Sequence, residues 1–182
     1  DSFLPYVEDF ESWRDSGYPD VKLETREFID NVLKPDKKYK MWNHQLEGLL
    51  RTIYAYEVLG KKNCLLNIVT GGGKTAIIGA VIFWLKSVHN INKFLILTPN
   101  TIVRARLIQD FKDGIVFKKF EFPTKQNQIL LNDLGLHIMK AGSQPQGMID
   151  SGIILGNIQQ MYSSNIGGKR NLAYIQEFVG DI

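Results

Sequence analysis

Cysteine is almost absent from this chain of 182 residues. The single thiol, Cys64, excludes a disulfide framework and a cysteine-rich zinc site. Histidine is scarce too: His44, His89 and His137 stand far apart in sequence, with no metal-ligand spacing among them. The longest apolar run, residues 76–85, is too short to cross a bilayer, so no membrane partner is expected. There is no Gly-x-Ser-x-Gly elbow, no internal repeat and no Asp-Glu dipeptide anywhere. The opening residues carry no signal-peptide pattern, so a reducing, cytoplasmic location is the expectation. Because it opens on Asp1 rather than Met, the chain is expected to be a piece of something longer.

What is present suits one ordinary globular domain. Hydrophobic residues make up 44%, charged residues 23% and aromatics 11%, which supports a real core and excludes disorder. The length is too small for two full α/β domains. Twenty-two basic residues against nineteen acidic ones give a net charge of +3 and a pI near 8.9, which fits contact with phosphates.

Residues 1–40 read as a helical extension followed by a basic linker. Ser16-Gly17-Tyr18-Pro19 is a turn signal, and Asp20 is the expected cap of a helix over residues 21–33 that Pro35 stops. Lys34, Lys37, Lys38 and Lys40 then form a basic run expected to be solvated. Residues 41–182 read as a second pattern. Trp42, Leu46, Leu49, Leu50, Ile53, Tyr54 and Val58 fall at helical spacing, and Gly60 ends that helix. Residues 64–69 predict a short buried strand, which would bury Cys64 and leave it inert. Residues 74–88 predict a helix apolar nearly all round, covered on both sides. Residues 94–97, 136–139 and 153–155 are further strand candidates; residues 101–111, 124–134 and 174–179 read as helices, and the Gly- and Pro-rich span between 139 and 153 as loop. Short apolar strands separated by helices argue for an α/β fold with a mostly parallel, doubly wound sheet.

The most specific signal is Thr70-Gly71-Gly72-Gly73-Lys74-Thr75, set between a predicted strand and a long apolar helix. Glycines permit positive φ and keep side chains away from backbone N–H groups that can cradle a phosphate. The following helix aims its positive dipole end at the same anion. The Lys74 ammonium suits the β- and γ-phosphates, and the Thr75 hydroxyl suits Mg²⁺ held through the nucleotide. ATP and Mg²⁺ are therefore the expected cofactors. One position departs from the usual pattern: Ile68 stands where a small residue is common, and its bulk threatens to narrow the base of the loop.

Other segments place this loop in a family. Met41-Trp42-Asn43-His44-Gln45 resembles the adenine-contacting Leu-Arg-x-Tyr-Gln motif of one branch of superfamily 2 helicases and translocases, the branch that includes the motor subunit of type III restriction enzymes. Gln45 matches the glutamine, whose amide suits adenine N6 and N7; Trp42 stands for arginine and His44 for tyrosine. Leu97-Thr98-Pro99-Asn100-Thr101 is similar to motif Ia, which contacts the nucleic-acid backbone, with Arg104 and Arg106 close behind. Gly156-Asn157-Ile158-Gln159 is similar to motif Ic. The resemblance covers roughly residue 41 to the end. It implies a three-layer, RecA-like phosphate-loop NTPase fold, with Pro99, Thr101, Arg104, Asn157 and Gln159 toward nucleic acid. Double-stranded DNA is the expected polymer, and a modification or nuclease subunit the expected partner.

The family's Asp-Glu-x-His motif, which holds Mg²⁺ and activates water, is missing, and neither Asp150 nor Asp181 replaces it. The sequence thus reads as the front part of a first motor domain, the ATP-binding portion of a nucleic-acid-dependent ATPase, inactive in turnover by itself. Two other readings stay open: a degenerate nucleotide-binding scaffold, and a phosphate-loop NTPase or kinase that does not act on nucleic acid.

Overall fold

The computed structural model describes residues 7–139 and 151–161. Among them, β1 (Phe94–Thr98), β2 (Leu136–Ile138) and β3 (Ile153–Asn157) form one all-parallel sheet in the order β1-β3-β2. All three fall on expected apolar runs. β3 is central and every one of its residues is buried, which is why it reads as an unbroken apolar stretch rather than an alternating one. The register pairs Phe94 with Ile153 and Thr98 with Asn157, so β1 and β3 end level at their carboxyl edge. The loop expected before β3 lies mostly outside the described residues, as does the helix expected at 174–179.

The α-helices among the described residues are α1 (Val7–Asp15), α2 (Leu23–Leu33), α3 (Asn43–Ile53), α4 (Lys74–His89), α5 (Thr101–Phe111) and α6 (Ile115–Lys119). A π-helical turn, Tyr54–Val58, continues α3. α5 packs over β1 and β3 and buries Leu107 and Phe111. α4 packs against α2, α3 and α6, and buries Ala76, Ile77, Ala80, Ile82, Phe83 and Trp84, as its apolar circumference predicts. Gly79 brings α6 close: a Cβ there would lie 2.8 Å from Val116 Cγ2. Phe10 and Trp13 of α1 and Phe28, Ile29 and Val32 of α2 join the same core as Leu49, Ile53 and Phe83. Each such side chain contributes about 1.5–3 kcal/mol on burial, so α1 and α2 are held mainly by packing.

Four expectations are corrected. Residues 64–69 form no strand: Leu65 and Val69 are 94% and 76% exposed, and Cys64 is exposed as well. Among the described residues no neighbouring strand pairs with this segment, and an extended run without a partner leaves alternate apolar side chains in water. Only Leu66 and Ile68 turn inward, against Gly48 of α3. Asp20 does not cap α2. It takes a positive φ of 61°, and Lys22 precedes the helix without a side-chain cap. The helix expected at 124–134 shrinks to a 3₁₀ turn, Gln128–Asp133. Asn127 Oδ1 accepts from the Thr124 N–H at 2.6 Å and from its hydroxyl at 3.1 Å, a local bond that competes with helix formation.

Lys37, finally, is buried rather than solvated. Its Nζ donates to the carbonyls of Phe120 (2.9 Å) and Glu121 (2.8 Å), and burial lowers its pKa to about 8. The other basic residues of that run are exposed.

Candidate functional site

The loop between residue 69 and α4 needs glycine for three different reasons. Gly71 has φ +85°, in a region that side chains rarely adopt. Gly73 has φ +70°, and a Cβ there would also overlap Gln45 Nε2. Gly72 has no positive φ, but a Cβ on it would sit 2.8 Å from Ile68 Cγ2 and 3.1 Å from the Val69 carbonyl oxygen. The bulk of Ile68 is thus accommodated by missing side chains. Gly72 lies against its Cγ2, and a Cβ on Gly48 would be 3.8 Å from its Cδ1.

Gly73 precedes α4 without offering a side-chain cap. The loop's backbone bonds run from Gly72 N–H to the Val69 carbonyl (3.1 Å) and from Ala76 N–H to the Gly73 carbonyl (2.9 Å). The N–H groups of Gly73, Lys74 and Thr75 are left without a backbone acceptor among the described residues. Three donors without a backbone acceptor at a helix N-terminus suit an anion. Lys74 is exposed and its Nζ donates to the Val69 carbonyl at 3.1 Å, so it can turn to a ligand without losing burial. Thr75 follows on the first turn, half-buried.

α3 meets this loop with its first turn. His44 Nε2 donates to the Gly72 carbonyl at 2.8 Å, and Gln45 Nε2 donates to the same oxygen at 3.1 Å. Gln45 is 4% exposed, and its Oε1 accepts from the Trp42 N–H at 2.9 Å. Trp42 itself is 60% exposed, its ring 5.6 Å from that of His44. His44, Gln45, Ile68 and Val69 all lie against the loop.

A second group gathers at the carboxyl ends of β1 and β3. Thr98 is buried and its hydroxyl donates to the Gly156 carbonyl at 3.2 Å, tying the two strand ends together. Asn100 caps α5, its Oδ1 accepting from the Val103 N–H at 2.9 Å. Pro99 and Thr101 flank that cap on the exposed surface. Arg104 is half-buried, with Nη1 at 3.5 Å from the Met139 carbonyl. Asn157 is buried and accepts from the Gln159 N–H at 2.9 Å, shaping the turn that leaves β3 with Gln159 exposed. The register sets Thr98, just before Pro99, opposite Asn157.

Two contributors escaped sequence reading. Asn100 was legible in principle, since Asn before an apolar-periodic run is a common N-cap. The bond of His44 to Gly72 had no local signal, because its partner lies 28 residues away.

Residues 38–179, well over half the chain, match the family described as type III restriction enzyme, res subunit. No curated protein and no solved structure matches the chain.

Proposed function

The chain belongs to the type III restriction enzyme res subunit family, a family of superfamily 2 helicase motor domains with the phosphate-loop NTPase fold, and on that premise we propose that it is the ATP-binding portion of a nucleic-acid-dependent ATPase. The observation that carries this reading is the set of N–H groups of Gly73, Lys74 and Thr75 at the start of α4, beside an exposed lysine. The residues fit a nucleoside triphosphate with Mg²⁺. The amides and Lys74 would hold the phosphates, and the Thr75 hydroxyl would ligate the Mg²⁺ that accompanies them. When bound, the metal neutralises charge on the phosphates. Among the described residues Gln45 keeps one N–H and one oxygen lone pair uncommitted, the pair that adenine N7 and N6 would take, so ATP should be favoured over GTP.

Pro99, Thr101, Arg104, Asn157 and Gln159 are proposed to face the backbone of a nucleic acid, with double-stranded DNA the polymer and a modification or nuclease subunit the partner in the parent system. Phosphate contacts carry no base code, so Thr101→Ala and Arg104→Ala weaken binding alike across sequences, with a strong salt dependence. In-line attack on the γ-phosphate also needs an acidic metal anchor and a positioned water. The Asp-Glu-x-His motif that would supply them is missing from the sequence, so this chain is proposed to bind nucleotide without turning it over. A calorimetric ATP titration tests the reading: Lys74→Ala removes a charged hydrogen bond and should weaken binding roughly ten- to a hundred-fold. Unchanged affinity would remove the loop from the site.

A further inference from the structure

We propose that His44 and Gln45 are positioning residues that lock the Gly72–Gly73 peptide in its anion-binding orientation, an inference that rests on the reading of the loop as a phosphate site. The Gly72 carbonyl oxygen receives two donors, His44 Nε2 at 2.8 Å and Gln45 Nε2 at 3.1 Å. A carbonyl only accepts, so His44 carries its hydrogen on Nε2, and the Gln45 amide is turned with nitrogen toward the loop. The Trp42 N–H on Gln45 Oε1 fixes that same orientation from the other end. Two donors use both lone pairs of the oxygen.

The peptide between Gly72 and Gly73 is trans. Across a trans peptide the carbonyl of one residue and the N–H of the next point in opposite directions. With the Gly72 carbonyl pinned to α3, the Gly73 N–H must point away from α3, and like the N–H groups of Lys74 and Thr75 it has no backbone acceptor among the described residues. A flip of this one peptide would exchange them and aim a carbonyl oxygen at the phosphate. Nothing intrinsic opposes the flip. It rotates ψ of Gly72 and φ of Gly73, and glycine accepts either sign of φ about equally. The orientation therefore has to come from contacts, and the first turn of α3 supplies them. Ile68 closes the other side, its Cγ2 2.8 Å from where a Gly72 Cβ would stand. The latch explains why the loop carries glycine at 72 and 73 in particular: side chains there would collide with the groups that hold the peptide.

Inorganic tripolyphosphate separates this role from base recognition, because it has a phosphate chain and no base. Calorimetric titrations would compare ATP and tripolyphosphate on the wild-type chain, His44→Phe, His44→Gln, Gln45→Ala and Lys74→Ala, with thermal melts of each. His44→Phe keeps a ring and loses the donor; it should weaken both ligands by the same factor, about three- to tenfold for one neutral hydrogen bond. His44→Gln restores a donor and should recover most of that loss, which a merely structural role would not require. Gln45→Ala should also weaken tripolyphosphate. If His44→Phe and Gln45→Ala bind tripolyphosphate like the wild type, whatever happens to ATP, the latch is wrong. If His44→Phe melts early, His44→Gln and Gln45→Ala decide the matter. Lys74→Ala binding both ligands undiminished would instead overturn the phosphate-site reading itself.

Discussion

Gly72→Ala tests how this loop tolerates a bulky residue at its base. The backbone of Gly72 is not in the left-handed region, so alanine is not strained by its own dihedrals. What it meets is Ile68 Cγ2 at 2.8 Å, the Val69 carbonyl oxygen at 3.1 Å and His44 Nε2 at 3.4 Å. Carbon atoms prefer about 3.5–4.0 Å, so Ile68 or the loop must move. Overpacking of this kind costs about 1–3 kcal/mol, while Gly→Ala gains about 0.4–1 kcal/mol through the unfolded chain. The net expectation is a loss of roughly 1–2 kcal/mol. The clashing atom is the branch methyl, which gives a sharp control. Ile68→Val keeps Cγ2 and should leave the cost of Gly72→Ala unchanged. Ile68→Ala removes Cγ2, and the double variant should then show a favourable coupling of about 1 kcal/mol. Urea unfolding of the single and double variants measures it. Additive costs in the Ile68→Ala background, or equal relief in Ile68→Val, would refute the steric account.

Three further outcomes follow from buried polar groups. Glu57 accepts from the Thr25 hydroxyl (2.6 Å), His89 Nε2 (2.7 Å) and the Lys22 N–H (3.0 Å), so Glu57→Ala should cost about 3–5 kcal/mol in urea unfolding, and a loss under 1 kcal/mol would count against the network. Lys37 titrates near 8 in the folded chain and near 10.5 unfolded; the unfolded state binds more protons between those values, so stability should rise with pH across that window. Lys37→Met should lack the rise, and an equal rise in both proteins would clear Lys37 of it. His137 has its pKa lowered by burial, with Nε2 unpartnered among the described residues. The unfolded imidazole protonates first, so stability should fall as pH drops through about 6.5 toward the lower folded value, and His137→Phe should flatten that limb. Denaturation midpoints at pH 5 and 7.5 check it.

What could be read from sequence is what depends on neighbours along the chain. β1, β2 and β3 were legible because each is an apolar run bounded by polar or glycine residues, and α4 because a helix covered all round has no polar face. The loop and the start of α4 at Lys74 were legible because apolar run, glycines and helix follow one another directly. Residues 64–69 have the same apolar look as β1, yet a strand exists only where another strand donates to it, and sequence does not display the partner. Burial of Lys37 depends on carbonyls 83 and 84 residues away, and that of Gln45 on a carbonyl 27 residues away. Asn127 misled for the opposite reason. Its influence is local, but it acts through a side-chain bond that apolar periodicity ignores.

The two helices that touch the loop are also joined at their far ends, and this separates two kinds of damage. α3 begins with His44 and Gln45 on Gly72, and its π-helical continuation carries Glu57. α4 begins with Lys74 and ends, about 22 Å away at 1.5 Å per residue, with His89 against that same Glu57. Lys22 and Thr25, from the start of α2, complete the junction, and Thr25 also accepts from Trp84 Nε1 of α4 at 2.9 Å. Lys22 and Thr25, from before residue 41, thus fasten the helices that present the loop. Weakening the Glu57 junction removes stability shared by the whole core, so it lowers the folded fraction and leaves the affinity of folded molecules nearly intact. Weakening the His44 latch removes one bond at the edge of the core, so the fold persists while phosphate affinity drops. Melting temperature and affinity, measured together on Glu57→Ala and His44→Phe, should move in opposite proportion; a His44 variant that loses stability and keeps affinity would place His44 in the scaffold instead of the site.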